Sequence, residues 1–375
     1  MSEAHPPQPP GSHAQSRELR LLAVYPGPAL TVDVAAVLLN TTYAQAKTLL
    51  QEWARSGLLT DRGRGRYAHR LAPDPGPLPH GEYHRAVEVL LHYVRLRLAA
   101  AADRLSPGRY TLDREGALLA QTAQSTFATW WPGPVRWLCD HEGALVGAAR
   151  LALRHSRHRV LCQITDHLGA VLHALDEGTA IADRVYPWAL EAATEEAPAV
   201  LALMHQRVGS QSTDRHQALH HAAAAVHHYA VADDDRGLQS AVVDTATALI
   251  RSGTARDLTH AQDMLTEAET DLHRFGDRRG AALAALESGK VHAALGDPAR
   301  ALDCFQRAQT LVQGLAVVDD HQLGRCLLAQ ALLHRAQTRP APARRAARAA
   351  LDRFEAAPAP RLAQTARALL TDLDR

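Results

Sequence analysis

From residue 83 onward the apolar positions recur at three- and four-residue intervals and never alternate. Val87, Leu90, Leu91 and Val94 fall on one side of a helix predicted over 83–105, which Pro107-Gly108 stops. The same period appears earlier at Ala46, Leu49, Leu50 and Trp53, spaced i, i+3, i+4, i+7, which is one buried helical face. Thr41 or Thr42 caps that helix, it ends near Ser56, and Gly57 stands where a left-handed C-terminal residue belongs. Two shorter helices precede it, over 17–24 behind the cap Ser16 and over 32–39 behind the cap Thr31, with YPGPAL breaking the chain between them. After Gly57 the pattern changes: Leu58 to Thr60, a Gly-Arg-Gly turn, then Arg66 to His69 read as a short β-hairpin. Three helices followed by a hairpin make a winged helix over 16–71. Residues 72–82 hold four prolines and form a stiff linker; 1–15, rich in proline, form a disordered tail.

The second half of the chain repeats. The clearest unit is ALAALESGKVHAALGDPARALDCFQRAQTL, with Gly289 in its first helix, a Leu-Gly-Asp turn, and Ala301, Phe305 and Ala308 in its second. This unit resembles the tetratricopeptide repeat, and the resemblance implies that the small residues let paired helices approach closely while the aromatic ring fills the gap. An Ala-x3-large-or-small-x2-Ala pattern recurs at Ala182/Tyr186/Ala189, Ala218/Ala222/Ala225, Ala261/Leu265/Ala268 and Ala343/Ala347/Ala350. The expected fold is therefore all-α: a helical connector over 83–128, then a tetratricopeptide-like solenoid of helical hairpins over 129–375 with a C-terminal cap helix near 361–373, all preceded by the winged helix.

Composition changes this picture little. Lys+Arg is 41 against 40 Asp+Glu, so no global field draws the chain to nucleic acid or a membrane, and an electrostatic function must be local. Only Lys47 and Lys290 are lysines, a codon-composition bias and no phosphate-binding signature. The four cysteines are far apart in apolar helical contexts, as buried reduced thiols are; no signal peptide or membrane span is legible, and a cytoplasmic location is expected.

Each candidate chemistry has a plain structural alternative. Ser288-Gly289-Lys290-Val291 imitates a phosphate loop but lacks the upstream glycine, the Ser/Thr and the strand. GRGRYA at 63–68 imitates a dinucleotide fingerprint without a βαβ context. His216, His220, His221, His227 and His228 crowd one helical stretch, and His216 and His220 stand at i, i+4; exposed repeat-helix surface explains them better than a metal. No nucleophile motif is present. The expectation is no catalytic residue, no cofactor and no metal, hence no enzyme. DNA binding is the serious rival. Gln45 and Lys47 on the third helix are candidate base readers, and Arg62, Arg64, Arg66 and Arg70 of the hairpin are candidate phosphate contacts; solvated arginines or contacts to a neighbouring domain are the alternative.

AAVLLNTTYAQAKTLLQEWARSGLL followed by GRGRYAHRL, and VRWLCDHEGALVGAARLAL beyond it, resemble the winged-helix and repeat region of actinobacterial NB-ARC (STAND-type) regulators. In that family a His-Asp pair closing the winged helix senses nucleotide on a neighbouring ATPase domain. Arg66, Tyr67 and His69 match here, Arg70 replaces the Asp, and no ATPase domain is expected within this chain. The resemblance implies a regulatory interaction protein whose partners are a protein or peptide in the repeat groove, a separate ATPase or a second copy; a DNA-binding regulator with a repeat sensor is the alternative.

Overall fold

The computed structural model describes residues 12–69, 77–116, 118–119, 133–175, 179–251, 253–357 and 359–374. Its contacts divide the chain into two compact units, one of residues 1–97 and 138–156, the other of 98–137 and 157–375.

In the first unit, helices α1 (Ser12–Leu22), α2 (Val32–Leu38) and α3 (Tyr43–Arg55) precede strands β2 (Leu59–Asp61) and β3 (Arg66–His69). The helix α1 starts four residues ahead of the expected cap, inside the stretch read as a disordered tail; 12–15 contain no proline to prevent it. A strand the sequence did not suggest, β1 (Leu30–Thr31), joins the hairpin; the sheet is antiparallel with order β1-β3-β2, Leu30 opposite Tyr67 and Asp61 opposite Tyr67 on the other side. Two residues are too few to show an alternation. The expected Thr42 cap is a full capping box: its hydroxyl accepts from the Gln45 amide N–H and Gln45 reaches back to the Thr42 backbone. Gly57 has φ 82°, as a C-terminal left-handed residue requires. Ala46, Leu50 and Trp53 are buried, with Leu22, Ala35 and Leu59 completing the core.

Helix α4 (His80–Leu105) runs from the first unit into the second, so the contacts divide the chain inside an element. Helix α5 (Pro134–Arg154) contributes 138–154 to the first unit. There Gly143 and Gly147, four apart and so on one face, receive Pro28 and Pro26 of YPGPAL. A β-carbon at 147 would overlap the Pro26 ring, so glycine is required by the close approach.

The second unit is a solenoid of helical hairpins: α6 (His158–Leu175) with α7 (Thr179–Ala193), α8 (Pro198–Gln211) with α9 (Arg215–Val231), α10 (Asp235–Ile250) with α11 (Ala255–Arg274), α12 (Arg278–Ala294) with α13 (Pro298–Gln313), and α14 (Asp320–Ala336) with α15 (Pro340–Ala356). Helix α16 (Pro360–Leu373) closes the end. Every small-large-small triplet read from the sequence lies on a trailing helix of a pair and is buried. Eleven residues after the first alanine of each triplet a further column is buried: Ala193, Tyr229, Leu272, Val312 and Phe354. Where the triplet lacks its aromatic, as at Ala347, Phe354 supplies one, and its ring lies on Gly324.

Successive hairpins are joined by charge. Asp234, Asp277 and Asp319 each cap the next leading helix, accepting from the backbone N–H three residues on. The other carboxylate oxygen of Asp277 takes Arg236 Nε at 2.6 Å, and that of Asp319 takes Arg279 Nε at 2.9 Å, each arginine coming from one hairpin earlier.

Candidate functional site

The leading helices α6, α8, α10, α12 and α14 turn polar side chains into the solenoid groove. The groove holds a cavity of about 150 Å³ lined by Arg207, Asp244, Arg279, Glu287 and Arg325 among others. Part of the groove is taken by the chain itself. After α4, residues 109–111 run without regular structure across the leading helices, and each side chain is individually recognised.

Asp166 on α6, only 1 % exposed, is the hub. Arg109 Nη1 lies 3.0 Å from both its oxygens, Arg207 Nε 2.9 Å from Oδ1, and the Thr111 hydroxyl donates to Oδ2 at 2.7 Å. Burial alone would raise the pKa of this carboxyl; the two guanidiniums outweigh it and hold it well below the usual carboxylate range. Tyr110 donates to Asp234, meets Tyr229 edge to face at 5.9 Å, and has the Arg236 guanidinium over its ring at 5.5 Å. Asp113 accepts from the Gly116 N–H at 3.0 Å and from Gln163 at 3.2 Å, and bonds His167 Nε2 at 2.8 Å. Burial pushes the His167 ring below its ordinary pKa.

Further along, Gln206 donates to Ser240 at 2.9 Å and Asp244 at 2.8 Å while accepting from the Tyr229 hydroxyl at 3.1 Å. Burial raises the Asp244 carboxyl from its ordinary pKa. Glu287 bonds Lys290 at 2.7 Å and Arg325 at 3.1 Å, and these two cations overcome the opposing effect of burial to keep it ionised. Lys290, the lysine of the imitation phosphate loop, is thus a helix residue paired within its own turn.

The residues singled out from sequence separate into three places. Gly289, Ala301, Phe305 and Ala308 come together: the Phe305 ring occupies the space a β-carbon at 289 would need, and both alanines are fully buried. Arg62 and Arg64 are exposed at the hairpin tip, while Arg66 turns to Asp140 at 3.5 Å within the first unit. Arg70 lies outside the described residues. On α3 Lys47 is exposed, but the Gln45 amide oxygen already accepts from the Thr41 hydroxyl at 2.7 Å and the Thr42 hydroxyl at 2.8 Å, so its reading end is engaged by the cap. The histidine-rich helix is α9. His221 meets His205 of α8, Nδ1 to Nδ1 at 2.9 Å, and His228 stacks on His205 at 5.7 Å. Burial, then the neighbouring rings, push His205 down to about 4. Among the described residues no group of three or more His, Cys, Asp or Glu is placed to hold a metal ion, and no helix is long and apolar enough to cross a membrane.

Sequence reasoning missed Arg109, Tyr110, Asp113 and Asp166. The one available signal was DREG at 113–116, which echoes DDRG at 234–237 and DRRG at 277–280.

No family model matches the chain, and no curated protein matches it. Among solved structures, BtubC (BKLC) from P. vanneervenii aligns at 15 % identity and TM-score 0.44, over 56 % of this chain and 90 % of that one. A signal transduction ATPase with numerous domains (STAND) protein with a tetratricopeptide repeat sensor, from Pyrococcus horikoshii, aligns at 10 % identity and TM-score 0.46, over 95 % of this chain. The chain spans about half of that protein, 53 %.

Proposed function

We propose that the chain is a non-enzymatic regulatory module whose repeat groove receives an extended segment of a partner protein, its N-terminal three helices and sheet being a winged helix that serves as a contact domain. The carrying observation is that the groove already reads a segment of its own chain through side-chain contacts that differ at Arg109, Tyr110, Thr111 and Asp113. A groove that recognises its own chain in this manner is shaped for a peptide of arginine, aromatic and hydroxyl character. The concurrence of Arg109 with Asp166 and of Tyr110 with Asp234 and Tyr229 defines two adjoining subsites.

The test is exchange in trans. A synthetic peptide SPGRYTLD is titrated into the full chain and into the variant R109A/Y110A/T111A. The reading requires saturable binding to the variant, with weaker or no binding to the unaltered chain, whose own segment competes at high effective concentration. Absence of binding to the variant, with its helix content intact, would refute it.

The rival reading, DNA contact through the winged helix, is favoured by the exposed Arg62, Arg64 and Lys47 and opposed by the engagement of Gln45.

A further inference from the structure

Within the second unit the helices wind so that the first hairpin returns to the fifth. The ring of His173 on α6 stands 5.9 Å from that of His321 on α14. Beside them opens a cavity of about 510 Å³, bounded also by Arg251, Arg325, Arg361 and Thr213. No Asp or Glu among the described residues lines it. Its size lies in the range of small-molecule sites, on the order of 300–1,000 Å³.

Three features identify what such a space takes. The first is charge. Arg325 is fixed by Gln322 at 3.0 Å and by Glu287 at 3.1 Å, but that carboxylate is shared with Lys290, so two cations face one anion there. Arg251 spends one N–H on the Ser212 carbonyl at 3.1 Å, and among the described residues neither it nor Arg361 forms an ion pair with a carboxylate. The second is an orphan. His321 is 3 % exposed, and neither of its ring nitrogens has a hydrogen-bond partner. A buried imidazole without a partner forgoes hydrogen bonds it had in water, a loss that a bound acceptor would relieve. The third is the field. Burial, and next Arg325, push His321 down to about 2, so its ring offers an N–H donor in a place lined by three arginines.

We propose that this cavity is a binding site for a phosphate-bearing small molecule, held by Arg251, Arg325 and Arg361 with an N–H of His321 as a further donor. Guanidinium groups match phosphate oxygens two at a time, and among the described residues Arg251 and Arg361 have no carboxylate to compete for them, while Arg325 shares its one carboxylate with Lys290. The site is independent of the peptide reading: neither Arg109 nor Tyr110 lines it.

Isothermal titration of the full chain with pyrophosphate decides the matter, with citrate and inorganic phosphate run at matched ionic strength. Saturable one-to-one binding of pyrophosphate is expected, tighter than citrate. R251Q and R361Q each weaken it by about tenfold, the loss of one charge-assisted hydrogen bond, while R62Q/R64Q at the distant hairpin leaves it unchanged. Both altered arginines are exposed, so helix content by circular dichroism should match the unaltered chain. A pyrophosphate-dependent rise in the melting temperature of the unaltered chain provides a readout that needs no variant. The assignment is overturned by the absence of saturable binding and of a melting shift, by binding that survives in R251Q/R361Q, or by citrate binding as tightly as pyrophosphate.

Discussion

The ring of Phe305 lies on the α-carbon of Gly289, leaving no room for a β-carbon between α12 and α13. Phe305 is 2 % exposed, and Ala301 and Ala308 flank it with no exposure at all. Removing the ring by Phe305→Ala should cost about 3–5 kcal/mol, and Gly289→Leu should cost about 1–3 kcal/mol or more through overpacking. Since solenoid energies are nearest-neighbour sums, the loss should begin in α12–α16. Hydrogen exchange checks it: acceleration confined to 278–374 is the expected pattern, and equal acceleration throughout the second unit would contradict it.

His321 should make stability fall in mild acid. Its folded pKa is depressed to about 2, whereas an unfolded histidine titrates near 6.5. The unfolded state therefore binds a proton first. Stability is complete above about pH 6.5 and declines as pH falls toward the folded value, by up to about 2 kcal/mol at pH 5 from this residue. Urea melts of His321→Leu between pH 7 and 5 should show a shallower decline than those of the unaltered chain. Parallel slopes would remove His321 from the account.

Asp166 holds Arg109, Arg207 and Thr111 together from a fully buried position. Asp166→Asn leaves two guanidiniums short of charge in the interior and should destabilise the chain by about 3–5 kcal/mol. The depressed carboxylate contributes stability that is present above its unfolded pKa near 4 and lost as pH falls through the folded value. The cost of the asparagine variant should therefore be largest at neutral pH and shrink on strong acidification, as denaturant midpoints at pH 7 and pH 3 will show.

At the hairpin tip, Arg62 and Arg64 support only loose contact with duplex DNA, because the neighbouring helix offers Lys47 but not the engaged end of Gln45. Binding should be weak, indifferent to sequence, and lost steeply as salt rises. Gel shifts with random and promoter duplexes at 50 and 200 mM salt test this. Tight protection of one promoter sequence at physiological salt, dependent on Lys47, would reverse the ranking.

Much of the solenoid is legible because its trailing helices bury alanine at fixed intervals, and alanine flanking a large residue is a pattern few other contexts demand. The Thr42 cap and the Gly57 stop are legible for a similar reason: each is a local backbone requirement with a residue type attached. The groove is a different matter. SPGRYTLD has the composition of any connecting loop, and its role emerges only from partners 50 to 126 residues away, such as Gln163, Asp166 and Arg236. The strand Leu30–Thr31 is too short to alternate, and the orphaned His321 looks like any other histidine at the start of a helix. Periodicity reports what a segment buries against its neighbours, and these residues are defined instead by what a folded-back chain brings to them.

The aspartate caps with their arginines have a consequence for how such a chain can change length. The leading helices α10 and α12 each carry both halves of a coupling, an acceptor at the start and, two residues later, a donor for the hairpin beyond. A piece cut from Asp234 to the residue before Asp277 holds one of each, so inserting a second copy of it restores a matched joint at the seam. Loops between the caps can gain or lose residues, as the Asp spacings of 43 and 42 already do, without disturbing the pitch. The hairpin bounded by these aspartates is thereby a duplicable cassette, and growth of the array by whole cassettes would lengthen the groove while keeping the Asp–Arg joint at the new seam.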